Sequence, residues 1–84
     1  MITGMQIRAS RAVLRWSAEV LAVRAGVGVQ TIKRLEGADG VPSGRSSTLQ
    51  AVESALEAAG IEFIGSPNDR PGVRFSEPAV KPRP

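Results

Sequence analysis

The chain has 84 residues, a formal net charge of +3, no cysteine and no histidine, which excludes disulfides, thiolate chemistry, the usual zinc ligands and the common catalytic triads together. A chain this short is expected to form one domain with a small core, to which dimerisation would add. No signal-peptide pattern opens it and no apolar run reaches membrane-spanning length, so with no cysteine a cytoplasmic protein without a metal, a cofactor or a membrane partner is expected.

Residues 3 to 15, TGMQIRASRAVLR, read as the first helix. Thr3 and Gln6 form a capping box, in which the cap hydroxyl and the residue three positions on bond each other's backbone N–H. Ile7, Ser10, Arg11 and Leu14 fall on one inward stripe. The arginine in that stripe needs a partner, and Glu36 is the candidate. Trp16, the only tryptophan, is expected to pack under the start of the second helix with its indole N–H near the surface; base stacking is its alternative role.

The second helix covers 18 to 25. Ser17 is a preferred N-cap, Glu19 places negative charge in the first turn, and Leu21, Ala22 and Ala25 form a narrow inward face. Gly26 ends the helix, because the residue just past the last turn favours a left-handed conformation that glycine reaches without strain. After Val27 and Gly28, a third helix runs from 29 to 36. Ile32 and Leu35 face inward, leaving Gln30, Lys33 and Arg34 outside. Two helices of about eight residues cannot hold alone and must pack on others.

This succession, Ser17, Glu19, Leu21, Ala22, Ala25, Gly26, Val27, Thr31, Ile32, Arg34, Leu35 and Glu36, resembles the helix-turn-helix of the Cro and lambda-repressor-like (XRE) family. The resemblance implies a mainly α fold, a four-helix lambda-repressor-like domain over 1–64. It also implies an ion pair between Arg11 and Glu36, and double-stranded DNA as partner. Small Ala22 lets the helices cross closely, Gly26 makes the turn and Val27 plugs the angle between them. Two positions depart from the pattern: Ala18 stands where the family often has a phosphate-gripping glutamine, and Gly28 where it often has a serine cap.

In that family the helix corresponding to 29–36 enters the major groove, where side chains near its N-terminus read bases. Carried over, Val29, Gln30, Lys33 and Arg34 would face base edges. Gln30 can bond adenine twice, Lys33 or Arg34 can reach guanine, and Val29 can touch a thymine methyl. Ser17 and Thr31 would bind phosphate. The competing reading makes these polar residues the solvated side of a surface helix.

Residues 37 to 46, GADGVPSGRS, are a loop by composition. Ser43, Arg45 and Ser46 are further phosphate candidates by resemblance, or else solvated loop residues. The fourth helix is expected over 47–59, with Ser47 and Gln50 as a second capping box, Leu49, Val52, Leu56 and Ala59 inward, and Gly60 as its stop. Ile61 to Ile64 and Gly72 to Phe75 then read as strands joined through GSPNDRP. This β-hairpin, spanning 61–75, should pack on the helices or on a second subunit. The Pro-rich tail, 76–84, is expected to be disordered.

Charge follows the same division. Up to Arg45, seven basic residues face three acids; from Ser46 onward, four face five. The positive field therefore lies on the half carrying the motif, as a phosphate-facing surface requires. The expected function is a sequence-specific transcriptional regulator without enzymatic activity, a homodimer binding an inverted repeat. The alternative is a protein-binding module, an antitoxin or adaptor, that engages another regulator through Val20, Val23 and the hairpin edge.

Overall fold

The structure, a computed structural model, describes residues 1–76. The elements are α1 (Gly4–Leu14), α2 (Ala18–Ala25), α3 (Val29–Glu36), α4 (Ser46–Ala58), β1 (Ile61–Ser66) and β2 (Asp69–Phe75). The expected disordered tail lies, past Ser76, outside the described residues.

The first two helices start and stop as local chemistry dictates. The Thr3 hydroxyl accepts from the Gln6 N–H at 3.1 Å and the Gln6 Oε1 accepts from the Thr3 N–H at 2.8 Å, completing the capping box. Ile2 and Ile7 stand at the two positions of a hydrophobic staple around that box, and both are buried. Ser17 caps α2 by accepting from the Val20 N–H at 3.1 Å. At the other end Gly26 takes φ +72°, and the Val27 N–H reaches back to the Ala22 carbonyl.

α4 departs from expectation. The capping box of Ser47 and Gln50 does not form: the helix starts one residue earlier, with Arg45 as N-cap and no side-chain hydrogen bond there. Ser46, Ser47 and Thr48 offer the same local signal in succession, and an arginine cap has no acceptor to give. The helix closes at Ala59, not within it, and Gly60 follows with φ +106°.

The hairpin is tighter than the glycine and proline composition suggests. Ser66 pairs with Asp69, so only Pro67 and Asn68 lie between the strands. A register shift between Ile64 and Ser66 leaves one more residue on β2 than on β1, a bulge with Arg70 in the left-handed region. Pro71, which has no N–H to donate, falls in that irregular stretch. Phe63 and Val73 pair across the ladder and pack on the core, while Glu62 and Arg74 pair with each other in the open.

Ten buried apolar residues form one core: Ile2, Ile7, Leu21, Ala22, Ile32, Leu35, Leu49, Val52, Leu56 and Ile61. They come from the N-terminal segment, all four helices and β1, as α2 packs on α3 and α4 while α1 packs on α3 and β2. Each fully buried isoleucine or leucine contributes about 1.5–3 kcal/mol, which short helices need. The hairpin thus rests on α1 and α4 of its own chain. One amide fixes it there, since Gln6 Nε2 donates to the Gly72 carbonyl at 2.9 Å and the Ile64 carbonyl at 3.4 Å. Among the described residues no helix is long and apolar enough to cross a membrane.

Candidate nucleic-acid interface

α3 has two faces of opposite chemistry. Ile32 and Leu35 are buried, and so is Glu36, whose charge is met rather than left alone. Arg11 reaches it from α1 as a fork, Nε to Oε2 at 2.5 Å and Nη2 to Oε1 at 2.9 Å. The third nitrogen, Nη1, donates to the Trp16 carbonyl at 2.9 Å, and Arg8 Nη1 donates to the Glu36 carbonyl. Donating its hydrogen bonds to Glu36 holds the Arg11 guanidinium above its ordinary value against partial burial, which acts the other way. One guanidinium thereby ties the end of α3 to the α1–α2 corner.

Opposite this buried seam, Gln30, Lys33 and Arg34 are exposed. Gln30 and Lys33 make no side-chain hydrogen bond or ion pair among the described residues. Arg34 is engaged: its Nη1 donates to the Ser43 carbonyl at 3.0 Å. Its guanidinium lies against Gly44, where φ is +124° and a Cβ would stand 3.3 Å from Nη1. Arg34 therefore ties the loop at Ser43 and Gly44 to α3. Val29 is half-buried and packs on the core. Of the four residues expected at base edges, the structure leaves Gln30 and Lys33 outward and unengaged.

The residues expected to contact phosphate are all exposed or half-buried. Ser17 is exposed; its oxygen accepts from Val20, and its own O–H remains to donate. Thr31 is half-buried in the first turn of α3, at an N-terminus that Gly28 leaves without a side-chain cap. Ser43, Arg45 and Ser46 are exposed where Arg34 gathers the loop into the start of α4.

The cations separate by partner. Among the described residues, Arg8 meets Asp39, Arg11 meets Glu36, Arg70 meets Asp69 and Arg74 meets Glu62. Arg15, Arg24, Lys33, Arg34 and Arg45 have no carboxylate partner, and all five fall between α1 and α4. No protein-family model matches the chain, and no curated protein matches it. The interface is therefore characterised by its own geometry and charge.

Two features here were not read from the sequence. Arg24 reaches back from the last turn of α2 until its guanidinium carbon is 5.0 Å from the centroid of the Trp16 ring, a cation–π contact between residues too far apart for local patterning to pair. Arg15, read only as the end of the first helix, closes it at φ +59°. The rival apolar surface is also present in part. Val23 is 81% exposed and Val20 39%, whereas the hairpin makes its main contacts with α1 and α4. A depression at the hairpin tip, lined by Ile64, Gly65, Asp69 and Arg70, is far in sequence from these residues. No group of three or more His, Cys, Asp or Glu able to hold a metal occurs among the described residues.

Proposed function

We propose that this protein is a lambda-repressor-like (XRE-type) transcriptional regulator of the bacterial cytoplasm that reads duplex DNA with α3, as a homodimer on an inverted repeat. The observation that carries the reading is the segregation of charge. Every described arginine or lysine without a carboxylate partner lies in the half of the chain that carries α2 and α3, and Gln30 on α3 is exposed. Such a surface favours the phosphate backbone at any sequence, and Gln30 and Lys33 would add base preference. In a symmetric dimer the two α3 helices would enter successive major grooves about one helical turn, roughly 34 Å, apart. The function needs no cofactor and no catalytic step.

Selection of bound fragments from a random duplex library, followed by fluorescence anisotropy on the selected sequence, tests this directly. Binding is expected to weaken steeply with salt, and Gln30→Ala to lose preference for the selected over scrambled duplex while its circular dichroism stays unchanged. Salt-insensitive or undetectable binding refutes the proposal. The exposure of Val23 favours a second reading, a protein-binding module in which Gln30→Ala is silent and Val20→Asp abolishes capture of the partner regulator.

A further inference from the structure

The corner between α1 and α2 carries an arginine in a conformation that costs stability. Arg15 occupies the left-handed region at φ +59°, where glycine is the unstrained choice and a side chain brings its Cβ against the following carbonyl. The left-handed turn lets the Arg15 and Trp16 N–H groups donate to the Ala12 and Arg11 carbonyls, bonds that glycine would make without the cost, while the exposed Arg15 side chain makes no hydrogen bond or ion pair among the described residues. Strain retained without an internal partner is most simply explained by an external one.

The neighbouring residues are arranged to receive the same kind of partner. Arg24 is held over the Trp16 ring at 5.0 Å, so its charge is positioned in advance and no carboxylate neutralises it. Ser17 follows, with its hydroxyl hydrogen still to donate. The corner is rigid: the Trp16 N–H donates to the Arg11 carbonyl at 3.0 Å, and the Trp16 carbonyl accepts from Arg11 Nη1 at 2.9 Å. The same Arg11 grips Glu36, so the position of the corner is set relative to α3. Glu19, in the first turn of α2, offsets one of the two positive charges.

We infer that Arg15 and Arg24, flanking Trp16, form a phosphodiester-binding element that grips the backbone of the duplex independently of sequence. The inference rests on the DNA-binding reading and adds to it two contacts on the α1–α2 corner. A planar guanidinium suits phosphate oxygens, and the Arg11 link lets backbone capture at the corner fix how α3 is presented to the groove.

The test uses the full chain, a mixed-sequence duplex and the selected duplex, with Arg15→Gly, Arg24→Met, Glu19→Gln and Gln30→Ala. Arg15→Gly relieves the backbone strain, so its thermal midpoint is expected to rise by about 4 °C while its affinity falls. A lost contact with a counterion-release slope of 0.9 is worth roughly eightfold at about 0.1 M salt. That loss should be equal on both duplexes, with the slope of log affinity against log salt shallower by about 0.9. Arg24→Met, which keeps an apolar stem over Trp16, should lose affinity in the same sequence-blind way, and Glu19→Gln should gain it. Emission from Trp16 should shift when the mixed-sequence duplex binds and shift less in Arg24→Met. Unchanged affinity and slope in Arg15→Gly overturn the inference, and so does a lowered midpoint, which would make Arg15 a structural cap. If Gln30→Ala still loses preference in that case, the wider reading stands without the corner; a wild type that binds neither duplex sinks both.

Discussion

Gly4 is the first residue of α1, and two physical arguments about replacing it with alanine point in opposite directions. Helix propensity favours Gly4→Ala by at most about 1 kcal/mol. The fold opposes it: a Cβ there would lie 1.9 Å from the Ala38 carbonyl oxygen and 2.5 Å from that of Leu35, both backbone atoms that cannot rotate away. Ordinary contact begins at 3.4 Å, so the Ala38 carbonyl would have to retreat by about 1.5 Å, the difference between 3.4 and 1.9 Å. That movement breaks the 3.0 Å bond from the Gly4 N–H to the Gly40 carbonyl, worth about 0.5–1.5 kcal/mol. It also prises the loop after α3 off α1, an overpacking cost of about 1–3 kcal/mol. The clash wins, and the net loss is expected to be about 2–3 kcal/mol, a large share of the stability of a domain this size. Urea unfolding followed by circular dichroism and Trp16 fluorescence measures it, with Gly40→Ala as control because a Cβ at Gly40 meets nothing within 4 Å. A Gly4→Ala protein as stable as wild type would refute the reasoning, since it would mean that α1 and the loop do not meet at this distance.

Arg11→Met should cost about 3 kcal/mol in urea unfolding, the lower end for breaking a buried pair, because the Glu36 side chain is only 9% exposed but that of Arg11 is 25% exposed. The double variant Arg11→Met/Glu36→Leu should recover most of that loss, and equal instability of single and double variants would count against an uncompensated carboxylate as the cause. Gly65→Ala combines φ +75° with a Cβ 2.1 Å from the Arg70 carbonyl oxygen, whereas Gly26→Ala has φ +72° and open space; the first should lose about 2 kcal/mol or more and the second about 1 kcal/mol, a ranking that thermal denaturation checks. Hydrogen bonding from Arg74 holds the exposed Glu62 carboxyl below its ordinary value, so the pair's small contribution is present at neutral pH and fades as acid carries the solution down through that lowered value. In Arg74→Ala the Glu62 carboxyl should titrate at higher pH by carbon-detected NMR, and an unmoved titration would show that the pair does not persist in solution.

What could be read in advance was local. Thr3 with Gln6, Ser17, Gly26 and Gly60 act within a few residues of themselves, and the helices begin and end where they direct. Period alone found the seam of Ile32 and Leu35; that Arg11 needs a partner followed because a charge on an inward stripe must be met, and the family resemblance pointed to Glu36. Ambiguity defeated the start of α4, where three hydroxyl residues in succession each offer a cap. Ile2 was missed although its place, just before the cap Thr3 and five residues before Ile7, is that of a staple. Other contacts left no local trace. Arg34 binds the Ser43 carbonyl, a backbone group that any residue could supply, and Gln6 meets carbonyls 58 and 66 positions away. For the candidate interface, residue types were legible but engagement was not: Gln30 and Lys33 stand out from the surface, while Val29 is drawn toward the core and Arg34 into the loop.

The amide of Gln6 links the two ends of the described chain. Its oxygen completes the first turn of the opening helix, and its nitrogen holds the closing ribbon at Gly72. Fraying at either extremity therefore takes away a bond from the other, so the termini should exchange their amide hydrogens as one cooperative unit rather than as two independent loose ends. A partner that seizes the ribbon would be felt at the amino-terminal helix, and through Arg11 on that same helix at the polar edge of α3.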